Sequence, residues 1–220
     1  MRVLSPSELH AWIAADGDGF HARLSETDLR VRGVSTVAEY VCRARAACAV
    51  DPSASDRARL ARVVRRVSSA MSAFECVWVI GIVQGTAYEG GLPHTRGHVI
   101  VLPIRLLRAP VQQLMSILVH EQVHVQQKMD PVGTWRYLRH IGFTRRPGRI
   151  AGSRANPDLD AYVYTMPDGH VMGSRYVEGA TSIGDVEFFP INRDEFESPL
   201  EWMAYRIARS KFLYSHVYKK

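Results

Sequence analysis

The sequence predicts an α+β fold in a single domain, residues 1–220, whose N-terminal part (1–72) is mostly helical and whose core (73–220) carries an insertion at 141–190. Three observations predict it. Segments led by Ser or Thr crowd the first third, as helix starts do. Two short runs rich in β-branched residues follow, Cys76–Val83 and His98–Leu102, enough for a small mixed sheet. From Pro110 the apolar residues are dense enough for a helix buried on most sides. With 220 residues, 46% of them apolar and 23% charged, the chain has the composition of an ordinary globular protein and none of the signs of disorder.

Taken in order, Ser5-Pro6-Ser7-Glu8 supplies an N-cap, a first-turn proline and a capping-box glutamate, and so opens a short helix to about Ala15 that Asp16-Gly17-Asp18-Gly19 closes. Two more helices are expected from about Ser35 to Cys48 and from Ser53 to Ser72, with Asp51-Pro52 as the break. Strand, Gly-rich loop and strand lead into a helix from Pro110 to Asp130-Pro131, because a residue before proline is driven out of helical geometry. Gly133 to His140 is a further helix, and Thr144 to Ser153 an Arg/Gly/Pro stretch. A hairpin follows, Ala161–Thr165 and His170–Tyr176 about Pro167-Asp168-Gly169, then a third strand at Asp185–Phe189 and a C-terminal helix from Ser198 to about Phe212.

The long helix contains His120-Glu121-Gln122-Val123-His124. Two histidines at i and i+4 share one helical face and can reach one Zn2+, while Glu121 beside them can act on a water as general base. This motif resembles that of zincins, in which the strand just before the helix borders the cleft and offers a free edge to an extended substrate backbone; the resemblance implies His98–Leu102 as that strand. The loop from Glu89 to Thr95 would then lie near the mouth, with His94 a weak site candidate. A third metal ligand is needed, and Asp130, His140, Glu197 and Glu201 are the candidates. Asp130 is eleventh from His120, where metzincin-like motifs carry a ligand, but the glycine such motifs need at the eighth position is replaced by Gln127. Ser198-Pro199-Leu200-Glu201 also reads as a capping box, so Glu201 has a purely local use open to it.

The segment Glu197–Tyr205 resembles the second helix of gluzincins. With His120-Glu121-x-x-His124 upstream, these two short segments and the helix types around them resemble a zincin-like metallopeptidase with a gluzincin-type third ligand. That resemblance implies a zincin-like fold and a Zn2+ cofactor held by His120, His124 and Glu201. Ala204 would permit close helix packing and Glu197 would be a supporting carboxylate. It further implies hydrolysis of a polypeptide substrate with Glu121 as base, by an endopeptidase more readily than an exopeptidase. Asn156-Pro157-Asp158 also has the character of a site loop in small zincin-like proteins, although a plain turn explains it. Tyr162, Tyr164, Tyr205 and His216 are chemically able to stabilise an oxyanion, and the sequence does not choose among them.

The net charge is +6, with a local cluster at Arg139, Arg145, Arg146, Arg149 and Arg154. A solvated basic face is the simplest expectation, and such a face could also draw in an acidic partner or nucleic acid. A protease acting on nucleic-acid-bound proteins, or an inactive zincin-like binding scaffold, are the alternative functions. Cys42, Cys48 and Cys76 form no CxxC pair, which favours buried free thiols in a reducing interior. The first residues lack an apolar signal core and no stretch is long enough to span a bilayer, so an intracellular, cytoplasmic protein without a membrane partner is expected.

Overall fold

The early helices each start on a hydroxyl side chain. In a computed structural model that describes residues 1–71, 77–190 and 196–212, Ser5 and Glu8 close a reciprocal capping box on α1 (Pro6–Ala15), which ends on Asp16 in the left-handed region. Thr36 caps α3 (Val37–Cys48) and Ser53 caps α4 (Ala54–Ala70), as their sequences predict. An additional short helix, α2 (Glu26–Val31), starts on a capping box of Ser25 and Asp28. Cys76, at the head of one expected strand, Ser72, at the end of one expected helix, and His216 lie outside the described residues.

The first sheet is mixed, in the order β1 (Arg2–Val3), β2 (Val79–Val83), β4 (Val99–Pro103), β3 (His94–Arg96). β1, β2 and β4 run parallel, and β3 returns antiparallel on β4. Alternation along the strands divides the core: Ile80, Ile82, Ile100 and Leu102 face α4 and the long helix α5 (Val111–Met129). Val83, Val99 and Val101 face α1 and α3. The expectation that His98–Leu102 forms the cleft edge is corrected here. A turn at Gly97, with φ of 57°, folds three residues back over β4, so β4 is an inner strand and β3 is the edge.

Helix α6 (Pro131–His140) starts on Asp130, whose carboxylate accepts the Gly133 N–H. The second sheet is antiparallel, in the order β5 (Thr144–Pro147), β6 (Tyr162–Thr165), β7 (Val171–Tyr176), β8 (Val186–Phe189). The hairpin at 167–169 and the third strand are where the sequence puts them, while β5 replaces the start of the expected Arg/Gly/Pro stretch by pairing with β6. The last helix, α7 (Pro199–Phe212), lies along α5, with Ala204 and Ala208 buried at the contact. Among the described residues no helix is long and apolar enough to cross a membrane.

Two surface expectations need correction. Cys48 is a buried free thiol, but Cys42 is exposed. The five arginines do not form one solvated face: Arg139 and Arg146 are exposed, whereas Arg154 is bonded to Glu197, Arg149 to the Arg23 and Ser153 carbonyls, and Arg145 stacks on Trp135 and Tyr162. Nearby carbonyls, carboxylates and aromatic rings satisfy three of them internally.

Candidate metal centre

Helical spacing brings His120 and His124 together on one face of α5, with their Nε2 atoms 3.1 Å apart. From α7, Glu201 Oε2 reaches within 3.3 Å of His120 Nε2 and 3.5 Å of His124 Nε2. Gln127 makes this meeting possible. Its amide nitrogen donates to the Leu200 carbonyl at 3.0 Å, tying the start of α7 to α5. Its amide oxygen is therefore the acceptor for His124 Nδ1 at 2.9 Å, which puts that ring's proton on Nδ1 and leaves Nε2 as the ligand atom.

Burial opposes charge at this cluster, but the Glu201 carboxylate, with help from Asp158, overcomes it at His124 and pushes that imidazole up to about 9. Burial likewise opposes the Glu201 carboxylate, and the two imidazoles hold it well below the usual carboxylate range. All three residues are buried, and their ligand atoms lie within 4.8 Å of one another. Two imidazoles and one carboxylate converging on a point form a donor set that fits a divalent metal ion, with three protein ligands as in catalytic zinc sites.

The other candidate ligands are placed elsewhere. Asp130 caps α6, and His140 is exposed. Glu197 is buried behind the cluster and accepts from Arg154, Ser174 and Asn156. Asn156 Nδ2 also donates to Glu201 Oε1 at 3.1 Å, so Glu197 orients the carboxylate through Asn156 rather than orienting a histidine.

Glu121 points into the same region. Thr95 Oγ1 donates to its Oε2 at 3.0 Å, and burial, reinforced by the Asp158 carboxylate, pushes its pKa well above the carboxylate range. A cavity of about 300 Å3 opens on the cluster, lined among others by His94, Glu121, Asn156, Phe196 and Tyr205. The loop of His94 thus does reach the site, and His94 Nδ1 is held by the Leu92 carbonyl at 2.9 Å. Of the phenols, Tyr205 lies at this wall with its ring 4.6 Å from that of His120. Tyr162 instead stacks on Arg145, and Tyr164 bonds Asp160.

Thr95 and Gln127 escape the sequence reading as functional residues, and Asn156 is read there only as part of a candidate site loop without a role. Gln127 attracts notice there only as the absence of a glycine. Asn156 does form the expected turn, accepting the Asp158 N–H at 2.9 Å, and the same turn walls the cavity. Comparison with protein-family models, curated proteins and solved structures gave no match to this chain.

Proposed function

We propose that this chain is a zinc-dependent peptidase with a zincin-like fold, in which His120, His124 and Glu201 hold the metal and Glu121 is the general base. The observation that carries the proposal is the convergence of those three ligand atoms from two helices, with the Glu121 carboxylate in the same cavity.

Lewis acidity is what zinc supplies when bound, bringing the pKa of a water molecule to about 7 and polarising the carbonyl under attack. The remaining steps belong to the chain's own side chains. Glu121, held at Oε2 by Thr95, takes the proton from the attacking water and passes it to the nitrogen of the breaking C–N bond. Its raised affinity for a proton favours the first of these transfers. Burial keeps the Tyr205 phenol protonated, so a hydroxyl donor is present on the wall for the negative charge that develops on the carbonyl oxygen.

The experiment is elemental analysis of the chelator-washed and reconstituted protein, combined with turnover of a peptide library. About one zinc per chain is expected, lost in Glu201→Ala and kept in Glu121→Gln, with hydrolysis abolished in both. Zinc binding that survives Glu201→Ala, or turnover that survives Glu121→Gln, would sink the assignment. A metal-loaded wild type that hydrolyses no peptide would favour a binding scaffold instead.

A further inference from the structure

We infer that the site accepts short peptides or chain ends rather than the middle of an extended polypeptide, because the chain itself already occupies the strand edge that would hold such a backbone. The inference rests on the peptidase reading and narrows its substrate.

Strand addition works through an outward-facing backbone N–H and C=O on an edge strand, which bond a carbonyl and an N–H of the incoming chain. On β3 these groups belong to Thr95, and both are taken. The Thr95 N–H donates to Asp158 Oδ1 at 2.6 Å, and its carbonyl accepts from Lys128 Nζ at 2.6 Å. A carboxylate oxygen thus stands where a substrate carbonyl would be, and an ammonium stands where a substrate N–H would be. The two caps also support each other, since Lys128 Nζ donates to the Pro157 carbonyl at 2.7 Å and so ties the Asp158 loop to the motif helix.

The same loop closes the cleft. Pro157 and Asp158 line both the cavity of about 300 Å3 at the metal cluster and a second cavity of about 720 Å3 that Trp12, Arg145 and Leu200 help to enclose. They stand as a wall between two spaces that a groove along β3 would join. An extended peptide advances about 3.3 Å per residue, so six to eight bound residues need a groove of about 20–26 Å. A cavity of about 300 Å3 is at the small end of ligand sites and suits a few residues. The geometry thus runs against the endopeptidase expectation.

The test uses zinc-reconstituted full-length protein and peptide hydroxamates of one, three and seven residues, in the wild type, Asp158→Ala, Lys128→Met and the double variant. In the wild type, extension from three to seven residues should change Kd by less than about threefold, because no strand bonds are gained. In the double variant the ratio of seven-residue to one-residue affinity should rise by about tenfold or more, from two regained backbone hydrogen bonds. A wild-type gain of tenfold with length would overturn the inference, as would a folded, zinc-loaded double variant whose ratio does not move. If the double variant does not fold, hydrogen exchange of the wild type without ligand decides: a slow Thr95 amide supports the cap, and exchange at the rate of a free edge overturns it. Loss of the peptidase reading shows separately, as absence of zinc or of any hydrolysis, while the Thr95 amide still reports the cap.

Discussion

His124 is held from both ends: Gln127 Oε1 accepts the hydrogen bond from Nδ1–H, and Glu201 attracts a second proton to Nε2. The imidazole rises from an ordinary 6.5 to about 9, so the folded metal-free protein binds that proton more tightly than the unfolded chain does. The resulting stabilisation is complete below pH 6.5 and lost as pH rises through about 9. A metal must displace this proton, so zinc uptake at pH 7 should release about one proton per chain. Calorimetry in buffers of different ionisation enthalpy would read it, and uptake without release would refute the protonated pair. Asn156 holds Glu201 without being a ligand, and Asn156→Ala should weaken zinc binding by about 10- to 100-fold, measured by chelator competition. On the proposed function, Thr95→Val removes a hydrogen-bond donor to Glu121, and kcat should fall by about 2- to 10-fold with zinc content unchanged, the loss of one hydrogen bond. An unchanged kcat would mean that the Thr95 hydroxyl has no part in aiming Glu121.

At the scale of elements, α1 lies on β2 only because residue 81 is glycine: a β-carbon there would intrude on the Leu9 methyl groups. Gly81→Ala should cost about 1–3 kcal/mol, since this packed face leaves little room to relax. Urea unfolding would show it as a lower midpoint with unchanged slope, and no shift would mean that α1 moves aside freely. Much at this scale is legible beforehand. Caps at Ser5, Thr36 and Ser53 mark their helices because a side-chain oxygen satisfies an otherwise orphaned N–H, a local event that needs no tertiary partner. His120 and His124 are legible for the same reason, since their spacing alone fixes a shared face. β3 is not, because three residues are too few to show alternation and its pairing depends on a turn at Gly97. α2 has only six residues. Asp158 and Lys128 lie on separate elements and converge on Thr95 only in three dimensions. Glu201 is legible as a ligand candidate through its helix type, whereas the Asn156 link to Glu197 is not.

Across the whole molecule, one buried pair joins the helical N-terminal part to the cavity wall. Arg32, from the end of α2, is bidentate to Glu89 at 2.7 and 2.8 Å and donates to the Ala155 carbonyl at 3.0 Å. Asp28 on α2 accepts the Ala155 N–H at 2.8 Å, so α2 holds both backbone groups of the residue before Asn156. Glu89→Ala leaves the buried Arg32 guanidinium with only Asp28 Oδ1, 3.5 Å away, as a carboxylate partner and should cost about 3 kcal/mol in denaturant unfolding, while a loss under about 1 kcal/mol would show that the pair is dispensable. The ligand helices carry a consequence in time. His124 and Glu201 lie on α5 and α7, near opposite ends of the second half of the chain. At a synthesis rate of about 5–20 residues per second, the stretch of about 75 residues between them takes on the order of 4 to 15 s to make. Throughout that interval a growing chain holds the two imidazoles without the carboxylate that completes the set. On the proposed function, a chain that stops before α7 should therefore hold zinc poorly and cleave no peptide.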